Sequence, residues 1–295
     1  MSCRLCHNLN QKTIICGYKT SLLEYFDLKK CCECGFASLD PIPNDEDLSK
    51  YYSCEYWQKG KQSKSVDRFY QIRMNKLLKV IGKLKNGNKL LDVGAGDGKF
   101  VDFMKKNGFD SSGIDLHTKS DSILQMKLSS SQLGKFDIIT YLHVLEHLRN
   151  PWKSLRDAYE KLNKNGLIVV ELPNIESLTF KFFRKRWQPL ELPTHINHFS
   201  LKSMRKSVNK IKGLKIEKVE HFSARTSPSV FVLSLFPSLT PKKVRQKHKG
   251  KIPKTILFLY LLLQLIFYPL AKLESFVKKG SIIRFYIRKA DENKL

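Results

Sequence analysis

The sequence predicts an α/β protein with a small cysteine-rich module ahead of its main sheet, and three observations carry that prediction. Short apolar runs of strand length at 89–93 and 111–116 flank a segment of helical periodicity, 99–107. A glycine loop, LLDVGAGDGKF at 90–100, joins the first of these strands to the helix after it. Two Cys-x-x-Cys pairs, Cys3 with Cys6 and Cys31 with Cys34, lie in front.

At 295 residues and 42% hydrophobic content the chain can bury a sizeable core, which excludes a disordered tail. The 53 Lys and Arg against 27 Asp and Glu leave a formal charge of +26, a balance that favours phosphates, nucleic acid or an anionic bilayer surface. Part of that charge belongs to solvated helix faces. The opening MSCRLCHNLNQK has no apolar stretch of signal-peptide length, so a cytoplasmic location is expected, peripheral to the inner membrane face if the insertion described below contacts lipid. In a reducing compartment, paired cysteines are tested first as metal ligands.

The two knuckles are separated by 24 residues, and four thiolates on two tight turns can close a tetrahedral zinc site. Such a site holds together a module, here residues 1–50, that is too small for a core of its own. Gly35 suits the turn after the second knuckle, Cys32 is an alternative ligand to Cys31, and Cys16 and Cys54 have no partner by spacing. A closed four-cysteine site leaves no open coordination position, so the metal is structural. Residues 51–84 form a polar, proline-containing connector and then a leading helix, with Phe69, Ile72, Leu77, Leu78, Ile81 and Leu84 at helical spacing.

The main domain, 85–222, opens with strand 89–93, the glycine loop, helix 99–107 and a second strand ending on Asp115. Strand, glycine turn, helix, strand, acid is a nucleotide-binding βαβ unit in which the acid takes a ribose diol. The spacing is Gly-x-Gly-x-Gly (Gly94, Gly96, Gly98) rather than the dinucleotide pattern, and with Asp92 ahead of it suits a ligand carrying an amine and a carboxylate.

On these residues the sequence resembles the class I S-adenosylmethionine-dependent methyltransferases. LLDVGAGDGKF is similar to their first motif, FDIITYLHVLEHLRNPWKSL (136–155) to their fourth strand and Glu-His-Leu turn, and NGLIVVELPN (165–174) to their fifth strand. The front module resembles that of a subgroup with an N-terminal four-cysteine zinc-binding piece, and the stretch RWQPLELPTHINHFSLKSM (186–204) resembles the acceptor loop of sugar and polysaccharide-associated methyltransferases. The resemblance implies a Rossmann-like, seven-stranded methyltransferase sheet, with S-adenosylmethionine held by Asp92, Gly94, Gly96, Gly98, Asp115 and His143. Asp121 is carried over as an adenine contact. The usual helix and third strand are compressed into HTKSDSILQMKLSSSQLGK (117–135), which departs from the family pattern.

Methyl transfer to a hydroxyl is an in-line displacement that needs positioning and removal of one proton. A histidine suits the second task. The resemblance puts His195 near the acceptor, with Glu146 and His147 after the fourth strand as the other candidate bases. The expected acceptor is a sugar, a nucleotide sugar or a lipid-linked glycan, O-methylated. Two alternatives stay open: an RNA methyltransferase using the zinc module and the basic surface, and a non-catalytic membrane-associated binding module. Against the first, YLHVLEH lacks the Pro-Pro-aromatic turn that clamps a flipped base, so nucleic acid is the less favoured partner. Oligomeric state is not legible.

Residues 215–222 and 281–289 alternate like strands and are expected to pair antiparallel as the end of the sheet. Between them, 223–280 is an insertion: PKKVRQKHKGKIPK has seven cations from Lys242 to Lys254 and no acid, and 256–271 is almost wholly apolar. Sixteen residues fall short of the roughly 20 of a membrane span, and a crossing would strand the last sheet strand on the far side. The expectation is therefore a helical unit, 242–271, lying on an anionic membrane surface.

Overall fold

The computed structural model describes residues 2–51, 64–118, 120–224 and 226–290, and in it the chain forms two compact units. One gathers residues 1–70, 173–202 and 221–283; the other gathers 71–172, 203–220 and 284–295.

In chain order, β1 (Gln11–Lys19), β2 (Tyr25–Cys31) and β3 (Ala37–Asp40) form an antiparallel meander followed by α1 (Asp45–Tyr51). Helix α2 (Lys64–Leu84) leads into β4 (Lys89–Val93), α3 (Lys99–Lys106) and β5 (Asp110–Ile114). Next come β6 (Phe136–Leu142), α4 (Pro151–Lys161) and β7 (Leu162–Pro173). Helix α5 (Leu178–Phe183), β8 (Asn197–His198), α6 (Leu201–Asn209) and β9 (Leu214–Glu220) follow. Three helices, α7 (Ser227–Leu235), α8 (Pro241–Lys247) and α9 (Lys254–Phe276), then precede β10 (Ile282–Lys289).

The larger sheet runs β5-β4-β6-β7-β10-β9. Its first four strands are parallel, with Leu90 opposite Ile138 and Ile138 opposite Leu167. Both faces of such strands are covered, which is why β6 and β7 read as unbroken apolar runs: Ile138, Ile139, Ile168, Val169 and Val170 are fully buried. Strands β9 and β10 pair antiparallel, Arg284 opposite Glu220. The sheet has six strands among the described residues where seven were expected. Among the described residues of the compressed segment 116–135, an isolated bridge, Leu124 to Ile114, touches the sheet, and Ile123, Leu128 and Leu133 anchor the segment as buried apolar side chains.

The cysteine-rich unit does not end near residue 50. Its sheet is β1-β2-β3-β8, with Ala37 opposite His198, so the fourth strand comes from beyond β7. Its core joins Phe26, Leu28 and Leu39 to Ile175, Trp187, Ile196 and Val230. Fifty residues cannot bury enough apolar surface alone, and the later segments supply the missing half. Helix α9 has 23 residues, longer than the expected apolar run, so length alone no longer argues against a membrane crossing.

Candidate active site

The glycine loop leaves β4 at Gly94. Gly94 and Gly98 have φ of 72° and 78°, a region where a side chain is strained, and a Cβ on Gly94 would fall 2.6 Å from the Val144 Cγ2 methyl. The bare backbone asked for at these positions is thus needed by packing as well as by any ligand. The Gly96 N–H donates to Asp115 Oδ2 at 3.0 Å, and the His117 N–H donates to Asp115 Oδ1 at 2.7 Å. A carboxylate oxygen that accepts one backbone N–H keeps a second lone pair, so Asp115, nearly buried at the end of β5, can still accept both hydroxyls of a ribose. Asp92 is buried and accepts a 2.6 Å hydrogen bond from Thr140 Oγ1 on the adjacent β6. Asp121 is exposed. These residues fit an adenosyl ligand with an amino-acid tail: a turn with three consecutive alternate glycines in the left-handed region, an acid behind the loop, and an acid at the second strand end.

The turn after β6 holds the second group. His143 has φ 63°, and its N–H donates to the Glu171 carbonyl at 2.9 Å. Its Nδ1 lies 3.2 Å from Glu146 Oε1 and its Nε2 lies 3.2 Å from Glu171 Oε1. Burial disfavours charging the ring, yet the hydrogen bond to Glu146 and the adjoining Glu171 carboxylate outweigh it and push the pKa up to about 9. The folded protein therefore favours the protonated ring of His143. Glu171, in turn, is engaged by Arg284 of β10, whose Nε donates at 2.8 Å, and Arg284 Nη1 donates to Glu220 Oε2 at 3.0 Å. The Tyr286 hydroxyl completes the chain, 3.0 Å from Glu220. Burial raises the pKa of Glu220, and Arg284 with the Tyr286 hydroxyl more than reverses it, so Glu220 stays below the usual carboxylate range. A run of alternating charges, Glu146, His143, Glu171, Arg284 and Glu220, thus crosses the sheet from β6 to β9. His147 is half-buried, and its N–H donates to the Val144 carbonyl in the same turn. Asn150 caps α4 by accepting from the Lys153 N–H at 2.9 Å, with Pro151 at the first helical position, which sets where this turn ends.

His195 belongs to the cysteine-rich unit. It is buried, with Nδ1 2.8 Å from the Pro189 carbonyl, an oxygen that can only accept, so Nδ1 carries a proton, and Nε2 lies 3.6 Å from Glu191 Oε2. The stretch 186–204 that resembles an acceptor loop makes a 3-10 turn at Gln188–Leu190, then β8 and the start of α6, with Trp187 buried.

In the same unit Cys3, Cys6, Cys31 and Cys34 converge, all four sulfurs lying within 4.8 Å of one another. Cys3 and Cys34 sulfurs are 3.5 Å apart and those of Cys6 and Cys31 are 3.6 Å apart. A tetrahedral zinc with bonds of about 2.3 Å sets its sulfurs about 3.8 Å apart, so the four fit the ion. The knuckle turns are closed by His7 N–H to Cys3 O and Gly35 N–H to Cys31 O, and Arg4 binds Asn197 beside β8. Cys16 and Cys32 are exposed and outside the cluster, while Cys54 lies outside the described residues.

Sequence reasoning missed Glu171, Arg284 and Glu220. The signal was present: an acid inside LIVVELP and an arginine inside SIIRFYI are charges in strands otherwise built for burial, and such charges require partners.

A family model described as a methyltransferase domain matches residues 66–219. A ubiquinone biosynthesis O-methyltransferase of Bordetella avium is 25% identical over 147 residues, 44% of this chain and 61% of the relative. That of Acinetobacter baylyi is 26% identical over 141 residues, 41% of this chain and 58% of the relative. The chain therefore spans about three fifths of the length of these curated relatives. Among solved structures, a SAM dependent methyltransferase from Archaeoglobus fulgidus aligns with a TM-score of 0.49 at 17% identity, covering 76% of this chain and 94% of that one. Magnesium protoporphyrin IX methyltransferase from Synechocystis, solved with SAH bound, aligns with a TM-score of 0.41 at 15% identity, covering 60% and 88%. Because the family model matches more than half of its residues, and does so over the glycine loop, the Glu-His turn and β9, the chain belongs to the methyltransferase-domain family.

Proposed function

We propose that this protein transfers the methyl group of S-adenosylmethionine to a hydroxyl oxygen of a sugar, a nucleotide sugar or a lipid-linked glycan, at an anionic membrane surface reached through residues 242–271. The observation that carries the reading is the glycine turn with Asp115 behind it in a chain of this family. When bound, the cofactor supplies an electrophilic methyl carbon. Asp92, Gly94, Gly96, Gly98, Asp115 and His143 are the residues proposed to hold it. His143, next to the Val144 side chain that packs on Gly94, is proposed to line the pocket beside the loop. His195, and Glu146 with His147, are the candidate proton acceptors for the hydroxyl. The oxygen acceptor is supported by the relatives' names, which give O-methylation, and the glycan by the resemblance of the His195 stretch. Cys3, Cys6, Cys31 and Cys34 are proposed to hold one structural zinc that takes no part in the chemistry.

Calorimetry tests the cofactor. S-adenosylmethionine or its demethylated product should bind in the range of about 1 μM to 1 mM, and Gly96→Val or Asp115→Ala should remove most of that binding. Tighter binding of NAD than of S-adenosylmethionine would overturn the assignment.

A further inference from the structure

Helix α9 buries one face and exposes the other, and the exposed face is apolar along its whole length. Gln264, Ala271 and Glu274 are buried. Phe267 stacks on Phe231 of α7 at 6.0 Å, Ser229 of α7 donates to Gln264, and Tyr268 meets Phe222 edge-on. Glu274 accepts from the Thr179 and Ser281 N–H groups at 2.8 and 3.0 Å. On the opposite side Phe258, Leu262, Ile266, Leu270, Leu273 and Phe276 follow one another at three- and four-residue steps, with Leu265 beside Ile266, and Phe258 is 69% and Phe276 84% exposed. From Phe258 to Phe276 this stripe is about 27 Å long at about 1.5 Å per residue. It continues onto α5, where Leu178 and Phe182 are exposed beside the Thr179 bond to Glu274. A contiguous exposed apolar surface of this size marks a partner.

The charge around the stripe identifies the partner. Lys242, Lys243, Lys247, Lys249, Lys251 and Lys254 are exposed at its N-terminal end, and Lys272 and Lys278 at its C-terminal end. Two copies of this chain meeting face to face would bring these cations together, whereas phosphate headgroups neutralise them while the stripe enters the acyl boundary. A crossing is excluded by the buried face, since Gln264 and Glu274 are bonded to protein and α7, at nine residues, is too short to accompany α9 through a bilayer.

We propose that α9 lies in the plane of one leaflet of an anionic bilayer, inserting the Phe258 to Phe276 stripe while the flanking lysines hold the headgroups. It shares its partner, an anionic membrane, with the proposed function and rests on that reading for nothing else; it adds the orientation and the inserting residues, and cofactor binding is independent of it. The test uses the full chain with vesicles of phosphatidylglycerol and phosphatidylcholine, and of phosphatidylcholine alone. The wild type should sediment with the anionic vesicles, bind the neutral ones at least about tenfold more weakly, and come off in alkaline carbonate. The exposed-site variant L262E/I266E should lose about tenfold or more in vesicle affinity, and so should K242Q/K243Q/K247Q, both with unchanged circular dichroism and unchanged S-adenosylmethionine calorimetry. Retention in carbonate would overturn the in-plane orientation. Failure to sediment at low salt, or a dimer in sedimentation equilibrium that L262E/I266E converts to monomer without any vesicle binding, would overturn the membrane partner. Loss of cofactor binding in the wild type would strike the methyl-transfer reading and leave this one standing.

Discussion

Two buried polar clusters in this chain solve the same problem in opposite ways. The charge run in one unit, Glu146, His143, Glu171, Arg284 and Glu220, alternates in sign and is drawn from β7, β9, β10 and the turn after β6, so each charge is met by another side chain. The four cysteines of the other unit are of one kind, and as the thiolates of the proposed zinc site they could not balance one another. The first cluster is closed by the fold; the second, on that proposal, is closed by an ion from outside. Buried charge needs a partner in both cases, and the difference lies in where the partner comes from.

The largest effect should come from removing that external partner. Elemental analysis should find about one zinc per chain, and stripping it, or replacing Cys31 and Cys34 by serine, should cost a large part of the cysteine-rich unit's stability, since structural zinc contributes on the order of 10 kcal/mol in small modules. Metal-free protein with an unchanged melting transition would break the comparison.

The internally closed cluster should be next. Arg284→Met removes the cation between Glu171 and Glu220, leaves buried Glu171 facing half-buried Glu220 with no cation between them, and should cost about 3–5 kcal/mol in urea denaturation. A loss below about 1 kcal/mol would mean that the run is solvated rather than closed.

The same cluster has a pH signature. The folded-state pKa of His143, about 9, lies above its ordinary value of 6.5, so the folded protein favours the protonated ring. Its contribution, on the order of 3 kcal/mol, is fully present below about pH 6.5 and is lost as pH rises through about 9. His143→Gln should flatten stability against pH across this window, and an unchanged profile would remove the imidazolium from the account.

The smallest effect sharpens the comparison at one bond. Thr140→Val deletes the 2.6 Å hydrogen bond to buried Asp92 and should cost about 1–2 kcal/mol. It should weaken cofactor binding more than Asn150→Ala, which removes a helix cap worth about 1 kcal/mol and leaves Asp92 untouched.

How far the sequence could be read depends on the range of the forces involved. The β4, α3 and β5 unit was legible because periodicity, the glycine turn and the acid at the second strand end are encoded within about 25 contiguous residues. The cysteine cluster was legible because each knuckle is local and the donor chemistry is unambiguous. The imidazolium of His143 was not, because Glu171 and Arg284 reach it from 28 and 141 positions away, and only strand order makes them neighbours.

By itself the sequence determined the nucleotide-binding unit, the convergence of four thiolates and the antiparallel close of the sheet, all of which follow from backbone conformation and spacing. Tertiary structure decided the rest. Among the described residues it put six strands in the larger sheet, with segment 116–135 reaching that sheet through the isolated bridge of Leu124 to Ile114, and it built the cysteine-rich unit with β8 and Trp187 because 50 residues bury too little surface. It also chose which side of α9 to cover. That helix is apolar on nearly every side, so its own residues do not say which face turns inward; the answer lies with α7, Phe222 and the two backbone amides that hold Glu274.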